Sequence, residues 1–139
     1  MAAISPSTVL VVDDDSSIVH LLKEDLEAEG YTVLEGYDGR MALDIASQSL
    51  PQLIILDLNM PGIGGVEALE ILRKNLATQN IPVLFLTGES SGHLPPELAG
   101  MPRVSHLTKP IALESLNSVV RKMISQYPSV PTRPGQTHI

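Results

Sequence analysis

Three runs of four consecutive apolar residues, Val9–Val12, Leu53–Leu56 and Val83–Leu86, constrain the fold of this chain more than any other feature. A strand with water on one face alternates apolar and polar residues. A run without alternation needs cover on both faces, which helices on either side of a parallel sheet provide. Tyr31–Leu34 and Val104–Leu107 read as two weaker strands. Between the strands the apolar period changes to that of a helix. Ser16–Glu29 carries Ile18, Leu21, Leu22 and Leu26 on one face, and Gly39–Leu50 carries Met41, Leu43, Ile45 and Ala46. Val66–Leu76 has a stripe of Leu69, Leu72 and Leu76, and Ile111–Ile124 has one of Leu113, Leu116, Val120 and Ile124. Gly30, Asp38-Gly39, Pro51 and Pro82 punctuate these elements. The pattern predicts a doubly wound α/β fold of (βα)5 type.

One stretch fits poorly. Glu89–Met101 should supply the fourth helix, yet it contains Gly92, Pro95, Pro96 and Gly100. An interior proline costs a helix about 3 kcal/mol, so the element is expected to be shortened or irregular, starting near Pro95 or Pro96. Residues 1–7 read as an N-terminal extension and 8–126 as one domain. Residues 127–139, with three prolines and few apolar side chains, read as a flexible tail.

Composition narrows the function classes. No cysteine is present, which excludes disulfides, thiolate metal sites and a cysteine nucleophile. Nine scattered Lys and Arg against 16 Asp and Glu give a net charge of −7, which argues against direct nucleic acid binding. Met1–Thr8 has no secretory pattern, and no apolar run approaches the roughly 20 residues of a membrane span. A cytoplasmic protein without membrane contact is expected.

The chemical signal lies in where the acids fall. Asp13, Asp14 and Asp15 follow the first strand, and Asp57 follows the third. In a doubly wound sheet the carboxyl ends of neighbouring strands meet at the topological switch point, where ligands bind. Two carboxylates about 4 Å apart repel by about 4 kcal/mol at an effective dielectric of 20, so such a cluster calls for a cation. Hard oxygen donors favour Mg²⁺ or a similar ion such as Mn²⁺. Lys109, in Leu107-Thr108-Lys109-Pro110, ends the fifth strand as a further positive charge, and Thr87 ends the fourth with a hydroxyl. Acids, metal, hydroxyl and ammonium at strand ends suit the in-line transfer of a phosphoryl group to a carboxylate, giving a labile acyl phosphate. Taken alone, Asp13–Asp15 serve equally well as a helix cap.

Val11-Val12-Asp13-Asp14-Asp15, Leu56-Asp57-Leu58-Asn59-Met60-Pro61-Gly62, Leu86-Thr87-Gly88 and Leu107-Thr108-Lys109-Pro110 together resemble the signature segments of response-regulator receiver domains, over about residues 8–126. The resemblance implies a flavodoxin-like five-stranded sheet in the order 2-1-3-4-5. It implies that Asp57 is phosphorylated, and that Asp13 and Asp14 hold Mg²⁺ with Asp57 and the backbone carbonyl of Asn59. It further implies that Thr87 bonds the phosphoryl group and shifts on activation, that Lys109 pairs with that group, and that the Lys109-Pro110 peptide is cis. A sensor histidine kinase or histidine phosphotransfer protein would be the donor, and the output partner is unidentified. Such a domain catalyses only its own phosphorylation and dephosphorylation.

His106 stands where the family usually carries an aromatic switch residue, and is expected to gate the output face. Asn59 and Glu89 fall at positions that flank the water attacking the acyl phosphate, which suggests fast self-dephosphorylation. Val19 is read as an apolar contact for the phosphodonor on the open face of the first helix. The remaining histidines, His20, His93 and His138, lack metal-ligand spacing. Two other classes compete. Aspartyl phosphohydrolases put their nucleophile after the first strand with a second Asp two residues on, whereas this chain has Asp57-Leu58-Asn59 after the third. A nucleotide- or flavin-binding module needs a glycine loop where this chain has three aspartates, which repel phosphate.

Overall fold

The computed structural model describes residues 7–88 and 94–128. Along the chain run β1 (Thr8–Val12), α1 (Ser16–Ala28), β2 (Thr32–Gly36), α2 (Gly39–Ser49), β3 (Leu53–Asp57), α3 (Gly65–Lys74), β4 (Val83–Thr87), β5 (Val104–Thr108) and α4 (Leu113–Gln126). The five strands form one parallel sheet in the order β2-β1-β3-β4-β5. The three unalternating runs are the three inner strands, because only an inner strand is covered by helices on both faces and paired on both edges.

Two apolar clusters line the two faces. On one side Leu10, Val12, Ile54, Leu56, Val83 and Phe85 pack with Ala42 and Ala46 of α2 and Ala68, Leu69 and Leu72 of α3. On the other, Val9, Val11, Ile55, Leu84 and Leu86 pack with Val19, Leu22 and Leu26 of α1 and Leu116, Val120 and Met123 of α4. The chain therefore changes face between α1 and α2. β1 and β3 are neighbours whose following segments leave in opposite directions, and a crevice opens between their carboxyl ends.

Local chemistry sets the helix ends. Asp15 caps α1, its Oδ1 accepting from the Ser17 amide at 2.9 Å, and Asp38 caps α2 by accepting from the Met41 amide at 2.8 Å. At the far end of α1, Gly30 takes φ 101°. The Tyr31 amide then donates to the Leu26 carbonyl and the Gly30 amide to the Glu27 carbonyl, a Schellman closure that ends the helix where glycine is required.

Several sequence expectations shift. Between β4 and β5 the described residues hold no α-helix. Residues 96–100 form a turn in which the Leu98 and Ala99 amides both donate to the Pro95 carbonyl, so the irregular fourth helix is a single turn starting at Pro95. In α1 the buried stripe is Val19, Leu22 and Leu26, while Leu21 is 48% exposed. Val19 is thus fully buried and unable to touch a donor protein. α3 stops at Lys74, which leaves Leu76 in the following turn and 85% exposed. Met41 is exposed as well. Among the described residues no helix is long and apolar enough to cross a membrane. The tail beyond Pro128, Glu89, His93 and His138 lie outside the described residues.

Candidate functional site

Each functional side chain stands where a strand ends. Asp13 follows β1 and is fully buried; its amide donates to the Gly36 carbonyl of the β2 end. Its Oδ1 accepts from the Asp15 amide at 2.9 Å, a local turn that points the other oxygen into the crevice. Asp14 is exposed at the rim, and Asp57, the last residue of β3, is 5% exposed. Asp13, Asp14 and Asp57 each offer an oxygen to a cluster in which these atoms lie within 4.8 Å of one another. Asp15 is engaged with Ser17 as a cap, while Asp13 and Asp14 belong to the cluster, so the acidic run divides between the two.

Lys109 reaches into the cluster from the end of β5. Its Nζ lies 2.9 Å from Asp13 Oδ2 and 3.6 Å from Asp57 Oδ1. The shorter contact is an ion pair rather than an aligned hydrogen bond, since Asp13 Oδ2 is buried without a hydrogen-bond partner. Burial pulls the Lys109 pKa down, but the contacts with Asp13 and Asp57 outweigh it and hold the group above the ordinary lysine value. The Lys109-Pro110 peptide is cis.

Asp57 is raised to about 6, first by burial and then by the charge of Asp13, against the opposing pull of Lys109 and the Asn59 amide. That amide lies 3.4 Å from Asp57 Oδ1, a long contact. Three carboxylates against one ammonium leave two negative charges when all are ionised. A divalent cation matches that deficit, and the buried carboxylate of Asp13 and the hard donor set fit such an ion.

Three further expected residues stand around the cluster. Thr87 is fully buried, but its hydroxyl is 3.4 Å from both the Leu107 carbonyl oxygen and Thr108 Oγ1, on the β5 side of its strand. Nothing in spacing or composition fixes that rotamer. His106 is partly buried and pairs in register with Phe85, so it shares the sheet face of α2 and α3, where the proline-rich turn replaces a helix. Asn59 is exposed beside Asp57.

A family model described as "Response regulator receiver domain" matches residues 9–121. The chain is 42% identical over 121 residues to the uncharacterized transcriptional regulatory protein YrkP of Bacillus subtilis, covering 86% of this chain and 50% of that protein. It is 31% identical over 116 residues to sporulation initiation phosphotransferase F of the same organism, covering 84% and 92%. Among solved structures, Vibrio cholerae chemotaxis protein CheY4 aligns with a TM-score of 0.75 at 30% identity, covering 85% of this chain and 98% of that one. The chain spans about half the length of several curated relatives.

Proposed function

Since this chain belongs to the response regulator receiver domain family, we propose that it accepts a phosphoryl group onto the Asp57 carboxylate from a phosphohistidine and changes its partner binding as a result. The observation that carries the reading is Asp57 itself: a buried carboxylate at a strand end, 3.6 Å from an ammonium and clustered with two further acids. An ionisable group is costly at such a position without a use. With a pKa of about 6 it is largely ionised at neutral pH and available as a nucleophile.

In the transfer, an Asp57 oxygen forms a bond to phosphorus as the bond from phosphorus to the donor imidazole nitrogen breaks, and the freed imidazole carries the departing electron pair. Lys109 exchanges part of its hold on Asp13 and Asp57 for a phosphoryl oxygen, and Thr87 turns its hydroxyl to another. Asp13, Asp14, Asp57 and the Asn59 backbone carbonyl would hold Mg²⁺, or Mn²⁺. When bound, that ion supplies charge neutralisation for the phosphoryl oxygens. Asn59 stands beside Asp57, where it orients the water that later hydrolyses the acyl phosphate; Glu89 shares that role. His106 gates the output face.

A sensor histidine kinase or histidine phosphotransfer protein is the donor, and the protein works in the cytoplasm. Coverage of 92% of a phosphotransferase supports passage of the group along a relay, while half-length coverage of transcriptional regulators supports a receiver that controls an attached or separate output. The test is intact mass after incubation with Mg²⁺ and acetyl phosphate. One added phosphate is expected on the wild type and none on Asp57→Asn. Equal labelling of the two proteins overturns the assignment.

A further inference from the structure

Thr87 and Thr108 are partners in register at the carboxyl ends of β4 and β5. The buried Thr87 hydroxyl oxygen is 3.4 Å from the Leu107 carbonyl oxygen and 3.4 Å from Thr108 Oγ1. A threonine hydroxyl has one proton to give and two lone pairs to offer. Thr87 is placed to donate to either oxygen, so its one proton is shared between the Leu107 carbonyl and Thr108 Oγ1. The carbonyl alone would satisfy that proton. Thr108 adds a second attraction that draws the hydroxyl toward β5, away from β3 and Asp57, which pairs with Leu86 across the other edge of β4.

We propose that Thr108 is a positioning residue that retains the Thr87 hydroxyl on the β5 side while Asp57 is unmodified, and so sets how readily Thr87 turns to a phosphoryl group. The proposal rests on Asp57 being the phosphoacceptor. Thr108 is exposed, so water replaces its partner once Thr87 leaves. Thr87 is buried and must exchange one partner for another. A phosphoryl oxygen is charged and a stronger acceptor than a carbonyl, so the exchange proceeds against the pull of Thr108. At 3.4 Å both contacts are long, as a restraint that must yield requires.

The experiment titrates beryllium fluoride, a tetrahedral stand-in for the phosphoryl group on a carboxylate, in the presence of Mg²⁺. Thr108→Val removes the hydroxyl and keeps the β-branched shape; Thr108→Ala is measured beside it in case valine disturbs the strand end. Either variant is expected to bind roughly two- to tenfold more tightly than the wild type, the equivalent of one neutral hydrogen bond. Thr108→Ser, which keeps the hydroxyl, returns the affinity to the wild-type value. In a Thr87→Ala background the Thr108→Val change has no effect, because there is nothing left to position. A variant that has merely lost stability does not gain affinity, so tighter binding separates positioning from structural damage. Unchanged or weaker binding by both Thr108 variants, or a gain that persists without the Thr87 hydroxyl, overturns the proposal and leaves Asp57 as acceptor. A wild type that takes up neither beryllium fluoride nor phosphate from acetyl phosphate overturns the acceptor assignment, and the proposal falls with it.

Discussion

At Asp57, chemistry and stability pull in opposite directions. The folded chain holds the Asp57 proton more tightly than an unfolded chain would, with a pKa of about 6 against the ordinary aspartate value of 3.8. Its stabilising contribution is therefore present below the unfolded value and lost as pH rises through about 6, where the ionised group costs about 3 kcal/mol. In metal-free buffer at pH 7.5, Asp57→Asn is expected to be about 1–3 kcal/mol more stable than the wild type, with the gap closing toward pH 4. Urea denaturation at the two pH values checks this, and a pH-independent gap contradicts it. The sequence makes Asp57 legible because an acid that ends the unbroken run Leu53–Leu56 must be buried with it. It does not make the Thr87 rotamer legible, since that depends on two β5 groups that only the finished sheet brings near.

Among the elements, α3 starts against the loop that leaves Asp57. Its first residue, Gly65, sits against Leu58, which follows Asp57, and its amide donates to the Leu58 carbonyl at 3.0 Å. A Cβ there would lie 2.9 Å from Leu58 Cα and 2.9 Å from Phe85 Cε1, backbone and packed core that have little room to move. Alanine gains about 1 kcal/mol in helix propensity, but overpacking costs about 1–3 kcal/mol. Gly65→Ala is expected to lower stability by up to about 2 kcal/mol in equilibrium denaturation. A stabilised variant would mean that the helix start can back away from the loop. The limits of sequence reading at this scale are the limits of periodicity. In α1 two adjacent stripes fit the spacing, one through Leu21 and one through Val19, and the angle at which the helix lies on the sheet selects the second. In α3 the stripe runs on to Leu76, but the chain leaves the helix at Lys74, and Thr78 turns back to donate its hydroxyl to the Leu72 carbonyl at 2.7 Å.

For the whole molecule, the unbalanced charge of the crevice links metal binding to folding. A cation that binds only the folded chain stabilises it by RT ln(1 + [L]/Kd), about 1.4 kcal/mol at ten times Kd. For a domain of this size that is a rise of about 4–6 °C in Tm. Millimolar Mg²⁺ is expected to produce such a rise, EDTA to reverse it, and Asp57→Asn to diminish it. Differential scanning fluorimetry with NaCl matched for ionic strength separates site binding from general screening, and an equal effect of NaCl counts against a metal site. The meeting of Asp13, Asp57 and Lys109 is legible from strand ends, because a doubly wound sheet leaves little freedom in which termini converge, whereas the five-strand order is legible only through the resemblance of the signature segments. Lys109 has a further consequence. Its amide donates to the Thr87 carbonyl at 2.7 Å while its ammonium sits among the carboxylates. With the backbone fixed to β4 in this way, a change of charge at the mouth of the crevice can be met by the lysine side chain alone, without unzipping the outermost strand.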